Sequence, residues 1–163
     1  MTDGSFLFAR FADRCKLAGV GETLQALDSI KHWDAVDGYF GLAVRFKGHP
    51  EADLKKVRSL DGLTESVESR ITAEAISGTV DEDLCRVYIM IETDPDRTES
   101  VAETVEKYEE TLSCARTEGR FGLVAVLQAA GFDQLDRLID DRISALDGVL
   151  RTKEGRIISS FVK

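Results

Sequence analysis

The stretch GYFGL at residues 38–42 returns 81 residues later as GRFGL at 119–123. The same offset carries the apolar run FLFARF at 6–11 onto VYIMIE at 87–92 without a gap. The apolar run and the glycine-aromatic-glycine turn therefore both occur twice, at the same offset. Such self-similarity at a fixed spacing is the signature of an internal repeat. The chain is therefore predicted to be a tandem duplication.

A second pair of turns extends the repeat toward the end of each copy. LDGL at 60–63 matches LDGV at 146–149 with an offset of 86, so the second copy is longer by five residues around its second helix. The acidic segment between the copies contains a glycine and reads as a connection. We expect a first repeat at 1–72, an acidic linker at 73–84 and a second repeat at 85–163.

Each copy has the pattern strand, helix, strand, strand, helix, strand, which is the ferredoxin-like β-α-β-β-α-β unit. The third strands, expected at 40–46 and 121–127, are apolar with almost no alternation, which indicates burial on both faces. Helices cover one face of each sheet, and the other sheet can cover the second face. The fold class predicted is α+β: two ferredoxin-like repeats with their sheets face to face, as an intrachain dimeric α/β-barrel. Second strands are expected near 33–36 and 113–117, and fourth strands near 66–72 and 156–162.

Composition limits the classes of partner. The net charge is −9 and the pI about 4.8, which disfavours direct binding to nucleic acid because phosphates are bound by clustered Lys and Arg. No apolar run approaches the ~20 residues that span a bilayer, and no leader pattern is seen, so a cytoplasmic protein without membrane association is expected. The three cysteines, Cys15, Cys85 and Cys114, are too far apart in sequence to suggest a zinc site or a disulfide framework.

The second copy resembles the effector-binding domain of the Lrp/AsnC (feast/famine) transcription regulators. The likeness lies in VYIMI at 87–91, TEGRFGL at 117–123 and LDGVLRT at 146–152, and the first copy matches more weakly through 36–41 and 60–63. The resemblance implies a small-molecule sensing module, with an amino acid as the effector. It also implies a homo-oligomer or association with Lrp-like proteins. The family's helix-turn-helix has no counterpart here, so we expect no DNA-binding domain of the chain's own.

An amino-acid effector needs a site for its carboxylate and its ammonium group. Glycine turns present unhindered backbone N–H groups to a carboxylate, and a nearby acid can face the ammonium. Asp-Gly and Glu-Gly are also ordinary hairpin turns, and that simpler interpretation stays open. The predicted ligand-binding residues are Asp37, Gly38, Phe40, Gly41, Thr117, Glu118, Gly119, Phe121 and Gly122.

Two other function classes remain open. One is a dimeric α/β-barrel enzyme of the monooxygenase or haem-binding type, for which His32, Trp33 and Tyr39 are the distinctive candidates. His32 is expected at a helix end and His49 in a loop, and neither has a partner at metal-ligand spacing. The other is a pure protein-interaction module. No constellation of residues supports catalysis, so no catalytic residue, metal or cofactor is predicted.

Overall fold

The computed structural model describes residues 4–13 and 19–163. Cys15 lies outside the described residues. The strands are β1 Gly4–Phe11, β2 Ile30–Gly38, β3 Leu42–Lys47, β4 Leu63–Ile76, β5 Cys85–Thr93, β6 Thr111–Glu118, β7 Leu123–Ala129 and β8 Val149–Val162. The helices are α1 Val20–Gln25, α2 Glu51–Arg58, α3 Thr98–Glu106 and α4 Phe132–Arg137. A 3-10 turn at Pro95–Arg97 precedes α3, and a π-helical stretch at Leu138–Ile143 continues α4.

The eight strands close into one antiparallel barrel in the order β1-β3-β2-β8-β5-β7-β6-β4. The predicted α+β class and barrel are thus confirmed, but two separate sheets lying face to face are not what forms. The fourth strands are 14 residues long, and each pairs on both sides. β4 joins β1 to β6, and β8 joins β5 to β2. These two long strands remove the free sheet edges, which a pair of open sheets would leave exposed.

β4 extends past residue 72 to Ile76, and β8 begins at Val149 instead of near residue 156. Both fourth strands are therefore longer than the sequence pattern indicated. The extra residues of β4 pair with β6 in the other half of the barrel, whereas the extra residues of β8 pair with β5 in its own half. The division into two repeats and a linker stays a prediction.

The barrel has three apolar clusters. One lies between the β1, β2 and β3 side of the barrel and the helices α1 and α2, and a second between β5, β6, β7 and the helices α3 and α4. The third fills the barrel interior, with Phe6, Phe8, Phe40, Tyr88 and Phe121 as its aromatic members. Burial on both faces of the third strands is confirmed for β3, where Leu42 to Phe46 are all buried, and for β7 apart from the half-buried Val126 and Gln128.

The interior alternation corrects the ungapped alignment of the first strands. That alignment placed Leu7 on Tyr88, but Leu7 faces the helices whereas Tyr88 faces the barrel interior. Phe6 is the residue with the same orientation as Tyr88, so the first strands correspond at an offset of 82. A one-residue slip exchanges the two faces of a strand, which is why the burial pattern reveals it.

Every neighbouring strand pair is antiparallel, so β1, β2, β5 and β6 all run in one direction. Both turns β2–β3 and β6–β7 consequently lie at one end of the barrel, called the turn end. The starts of β2 and β5 lie at the opposite end with the last residues of β3 and β4, and this is called the mouth end. Within the described residues, no helix is long and apolar enough to cross a bilayer.

Candidate functional site

The mouth end of the barrel holds a cavity of about 610 Å³. Ligand pockets in proteins span roughly 300–1,000 Å³, so this volume is suited to a small molecule. Polar side chains from four strands reach it, together with an apolar wall from β6, β7 and β8. The principal lining residues are His32, Asp34, Arg45, Glu74, Arg86 and Tyr88 on the polar side, and Leu112, Val126 and Ile157 on the apolar side.

Asp34 and Tyr88 form a buried hydrogen bond across the barrel. The Tyr88 hydroxyl donates to Oδ2 of Asp34, and the Asp34 residue is only 3% exposed. Burial, together with the adjacent Asp34 carboxylate, raises the pKa of Tyr88 well above its ordinary value, so the phenol remains a donor. Because Asp34 lies in β2 and Tyr88 in β5, this bond links the two halves of the chain.

His32 lies two residues before Asp34 on the same face of β2, with its Nδ1 3.8 Å from Oδ2 of Asp34. The expected helix end at His32 was wrong, because residues 30–38 pair with β3 on one side and β8 on the other. Burial lowers the pKa of His32, and the Asp34 carboxylate opposes that effect only in part. The ring is therefore neutral at pH 7 and offers one nitrogen as donor and one as acceptor.

Arg45 and Glu74 form a second buried polar pair in the cavity. Both guanidinium Nη atoms donate to the two carboxylate oxygens, at 3.0 and 3.1 Å, and the side chains are 8% and 9% exposed. The Arg45 guanidinium also lies 5.1 Å from the ring centre of Phe6. Its Nε is buried without a hydrogen-bond partner among the described residues. The pair therefore links the end of β3 to the end of β4 beside the mouth.

The segment that follows β4 forms part of the rim. Gly78, Val80 and Glu82 line the cavity, and the side chain of Gln128 holds this segment in place. Its Nε2 donates to the carbonyl of Thr79 at 3.3 Å, and its Oε1 accepts from the amide of Asp81 at 2.8 Å. The segment expected only to connect the halves therefore also builds the site.

The predicted ligand-binding residues lie at the turn end, away from this cavity. The structure brings the two turns together: Tyr39 donates to Glu65 at 2.7 Å, and Arg120 from the other turn donates to the same carboxylate at 3.2 Å. Phe40 and Phe121 are buried in the interior cluster on either side of Phe8. The role of the turn residues as a ligand site stays a prediction.

Several residues of the two turns have local structural roles. Thr117 donates to the carbonyl of Phe121 at 2.8 Å. Gly38 and Gly119 allow close backbone contacts, since a Cβ would lie 2.4 Å from the Glu154 carbonyl and 2.9 Å from that of Glu68 respectively. Asp37 and Glu118 are exposed, and Gly41 and Gly122 are half-buried.

The three residues considered for an enzyme are not brought together. His32 is in the cavity and Tyr39 is at the turn end. Trp33 lies on the outer, helix-covered face of the barrel, where its ring stacks on Phe161 with centres 5.4 Å apart. His49 lies in a loop, as expected, with Nδ1 2.9 Å from the hydroxyl of Ser5. The described residues contain no cluster of three or more His, Cys, Asp or Glu arranged to hold a metal ion.

Sequence reasoning missed Asp34, Arg45, Glu74 and Tyr88. A signal was present for two of them, since Asp34 and Arg45 are the charged residues in the otherwise apolar stretches 33–36 and 42–46. Charged residues are almost never fully buried unless they are paired, so a charge in a strand buried on both faces points to an interior polar site. Glu74 was not considered as a site residue because residues 73–84 were assigned to the linker.

The comparisons with known proteins agree with this fold. The chain is similar to the crystal structure of the siroheme decarboxylase NirDL, with a TM-score of 0.78, 13% identity, and 99% of this chain and 72% of that chain covered. A mutant chlorite dismutase from Candidatus Nitrospira defluvii has a TM-score of 0.56 and 10% identity, covering 96% of this chain and 91% of its own. At these identities the likeness shows the fold alone. No curated protein matches the chain.

The family model of the Lrp/AsnC ligand binding domain matches residues 86–163. The match begins at the second residue of β5 and runs to the end of the chain. It covers the half of the molecule whose motifs had suggested the same family. The resemblance of the second half to the Lrp/AsnC ligand binding domain family is thus confirmed over residues 86–163.

Proposed function

We propose that this chain is a small-molecule sensing module whose ligand binds in the cavity at the mouth end of the barrel. The observation that carries the proposal is the cavity of about 610 Å³, in which buried charged side chains face an apolar wall. A concave apolar pocket with a few convergent polar groups is the usual form of a small-molecule site. The Lrp/AsnC match supports ligand binding as the purpose of the domain.

The finer parts of the proposal concern the ligand and the assembly. We infer that the halves are tandem ferredoxin-like repeats, at 1–72 and 85–163, joined by the segment 73–84. An amino acid is the effector that the family resemblance implies, and homo-oligomers or Lrp-like proteins are the partners it implies. The turn residues 37–41 and 117–122 remain the alternative location for that effector.

A thermal-shift screen of amino acids and related metabolites, with a matched pair of variants, tests the location. Ile157 lines the cavity, whereas its neighbour Ile158 is 62% exposed on the outside of β8. A ligand at 100 times its Kd stabilises the folded chain by about 2.7 kcal/mol. We expect Ile157→Trp to abolish that shift and Ile158→Trp to keep it. If the thermal shift caused by a ligand persists in Ile157→Trp but is lost when Gly119 is replaced by a bulky residue, the ligand binds at the turn end instead.

A second candidate function is binding of a tetrapyrrole, favoured by the position of His32 in the cavity. The siroheme decarboxylase NirDL, whose fold covers 99% of this chain, has also been solved with an iron-uroporphyrin III analogue. Titration with haem or sirohaem, followed in the Soret region, tests this candidate. Saturable binding that His32→Gln changes would favour the tetrapyrrole, and an unchanged spectrum would exclude these two ligands.

A further inference from the structure

The buried charges of the mouth cavity do not cancel. Arg45 and Glu74 neutralise each other through two hydrogen bonds, and the ring of His32 is neutral at pH 7. Asp34 remains as a buried carboxylate with no compensating charge in direct contact. A buried ion is costly unless it is paired and hydrogen-bonded, so an unpaired one at a cavity wall marks a place for a ligand group of opposite charge.

The contacts of Asp34 are few for a carboxylate. Its Oδ2 accepts one hydrogen bond, from Tyr88, although a carboxylate has about four acceptor positions. In the described part of the chain no Lys or Arg lies within 4.0 Å of it, and the imidazole of His32 is 3.8 Å away. Asp34 therefore has acceptor capacity left on the side of the cavity that it lines.

The surroundings of Asp34 define the rest of the ligand. The facing wall is apolar and includes Leu112, Val126 and Ile157, and it continues to the exposed side chains of Ile76 and Val80 at the rim. Apolar surface taken from water stabilises a complex by roughly 25 cal/mol per Å². A ligand with a donor-rich cationic end and an apolar body would match both walls at once.

We propose that the cavity binds a primary amine with an apolar body, and that the Asp34 carboxylate is the anchor of its ammonium group. This inference rests on the proposed function, because it requires the mouth cavity to be the ligand site. Tyr88 acts as a positioning residue: its hydroxyl holds one carboxylate oxygen and leaves the other for the ammonium. The ammonium would donate to Asp34, while its alkyl or aryl body packs on Val126 and Ile157.

Two cationic side chains at the rim favour a ligand with a carboxylate, which is the alternative to an amine. Lys31 and Arg86 line the cavity, and Arg86 donates to the hydroxyl of Ser160 at 3.0 Å. Neither makes an ion pair with a carboxylate among the described residues. A carboxylate-bearing ligand would go to them. The test therefore compares amine and carboxylate ligands with the same body.

The experiment measures binding of n-hexylamine, n-hexanol and n-hexanoate to the full chain by calorimetry at neutral pH. We expect hexylamine to bind tightest, and Asp34→Asn, which keeps the shape and can still accept from Tyr88, to weaken it about tenfold or more. The affinity for hexanol should change less than twofold in Asp34→Asn, because hexanol has no charge to pair with the carboxylate. The matched control Asp147→Asn makes the same chemical change at a side chain that is 83% exposed and lies outside the cavity, so it should leave hexylamine binding unchanged.

Three results would overturn the proposal: hexanoate binding tighter than hexylamine, no binding of hexylamine to the unmodified protein, or equal hexylamine affinity in Asp34→Asn. If Asp34→Asn does not fold, the ranking of the three probes on the unmodified protein still decides. Ile157→Trp separates the two levels of inference. Loss of all probes in Ile157→Trp with no effect of Asp34→Asn would refute the amine anchor and keep the cavity as the ligand site. Hexylamine binding that survives Ile157→Trp would refute the cavity itself.

Discussion

Removing Glu74 should destabilise the protein more than removing Glu74 and Arg45 together. The two side chains share hydrogen bonds of 3.0 and 3.1 Å and are 8% and 9% exposed. In Glu74→Leu the guanidinium of Arg45 stays buried without its counter-ion, and breaking a buried pair in this way costs about 3–5 kcal/mol. In the double variant Arg45→Met/Glu74→Leu no buried charge remains. Its free energy of unfolding should lie within about 1 kcal/mol of the original or exceed it, since such exchanges are often neutral or stabilising.

Urea unfolding followed by the fluorescence of Trp33, the chain's single tryptophan, measures these differences. The surface pair Arg97–Asp147 is the control: its atoms are 3.4 Å apart, with the side chains 55% and 83% exposed. Asp147→Asn should change the free energy of unfolding by less than about 1 kcal/mol. A loss below about 1 kcal/mol in Glu74→Leu, similar to that of the control, would show that Arg45 reaches solvent and that the burial argument is wrong.

Three further predictions use other parts of the chain. Gly38→Ala places a Cβ 2.4 Å from the Glu154 carbonyl on β8, so it should cost about 1–3 kcal/mol in urea unfolding, whereas Gly21→Ala, with nothing within 4 Å, should not destabilise. Burial lowers the pKa of His32 in the folded chain, so the unfolded chain takes the proton first as the pH falls below about 6.5. Stability should then decline from pH 7 to 5 more steeply than in His32→Gln, and equal slopes would contradict this. Burial raises the pKa of Cys114 to about 12, so iodoacetamide at pH 8 should label it only after unfolding, as read by peptide mass spectrometry.

The repeated turns and the apolar runs were enough to predict the fold class, the barrel and the family. The closure of the barrel was harder to predict, because it depends on β4 pairing with β6 and β8 pairing with β2. Those contacts join residues far apart in sequence, and local patterns carry no information about them. The extra length of β4 was also missed, because residues 73–76 adjoin an acidic stretch and were assigned with it to the linker.

The candidate site was predicted less well than the fold. Glycine turns attract a ligand hypothesis from sequence alone, but the contacts of Gly38 and Gly119 show that close backbone packing also requires glycine there. The cavity residues come from strands in both halves, and their proximity follows only from the closed barrel. Asp34 and Tyr88 are 54 positions apart in sequence and meet only because β8 lies between β2 and β5.

The asymmetry of the mouth cavity gives a physical reason to have both halves in one chain. At the offset of 81 that relates the second and third strands, Asp34 corresponds to Ala115 and Arg45 to Val126. All four face the barrel interior or its cavity, so at these two positions the first half supplies a charged side chain and the second half an apolar one. If the halves are copies, as we propose, a symmetric barrel of two identical chains would contain either two charged walls or two apolar walls. Two copies of the charged wall would bring a second buried carboxylate into the same interior, where like charges disfavour ionisation. A single chain avoids that conflict and can offer a buried anion opposite an apolar surface, which is the arrangement that an amine with an apolar body requires.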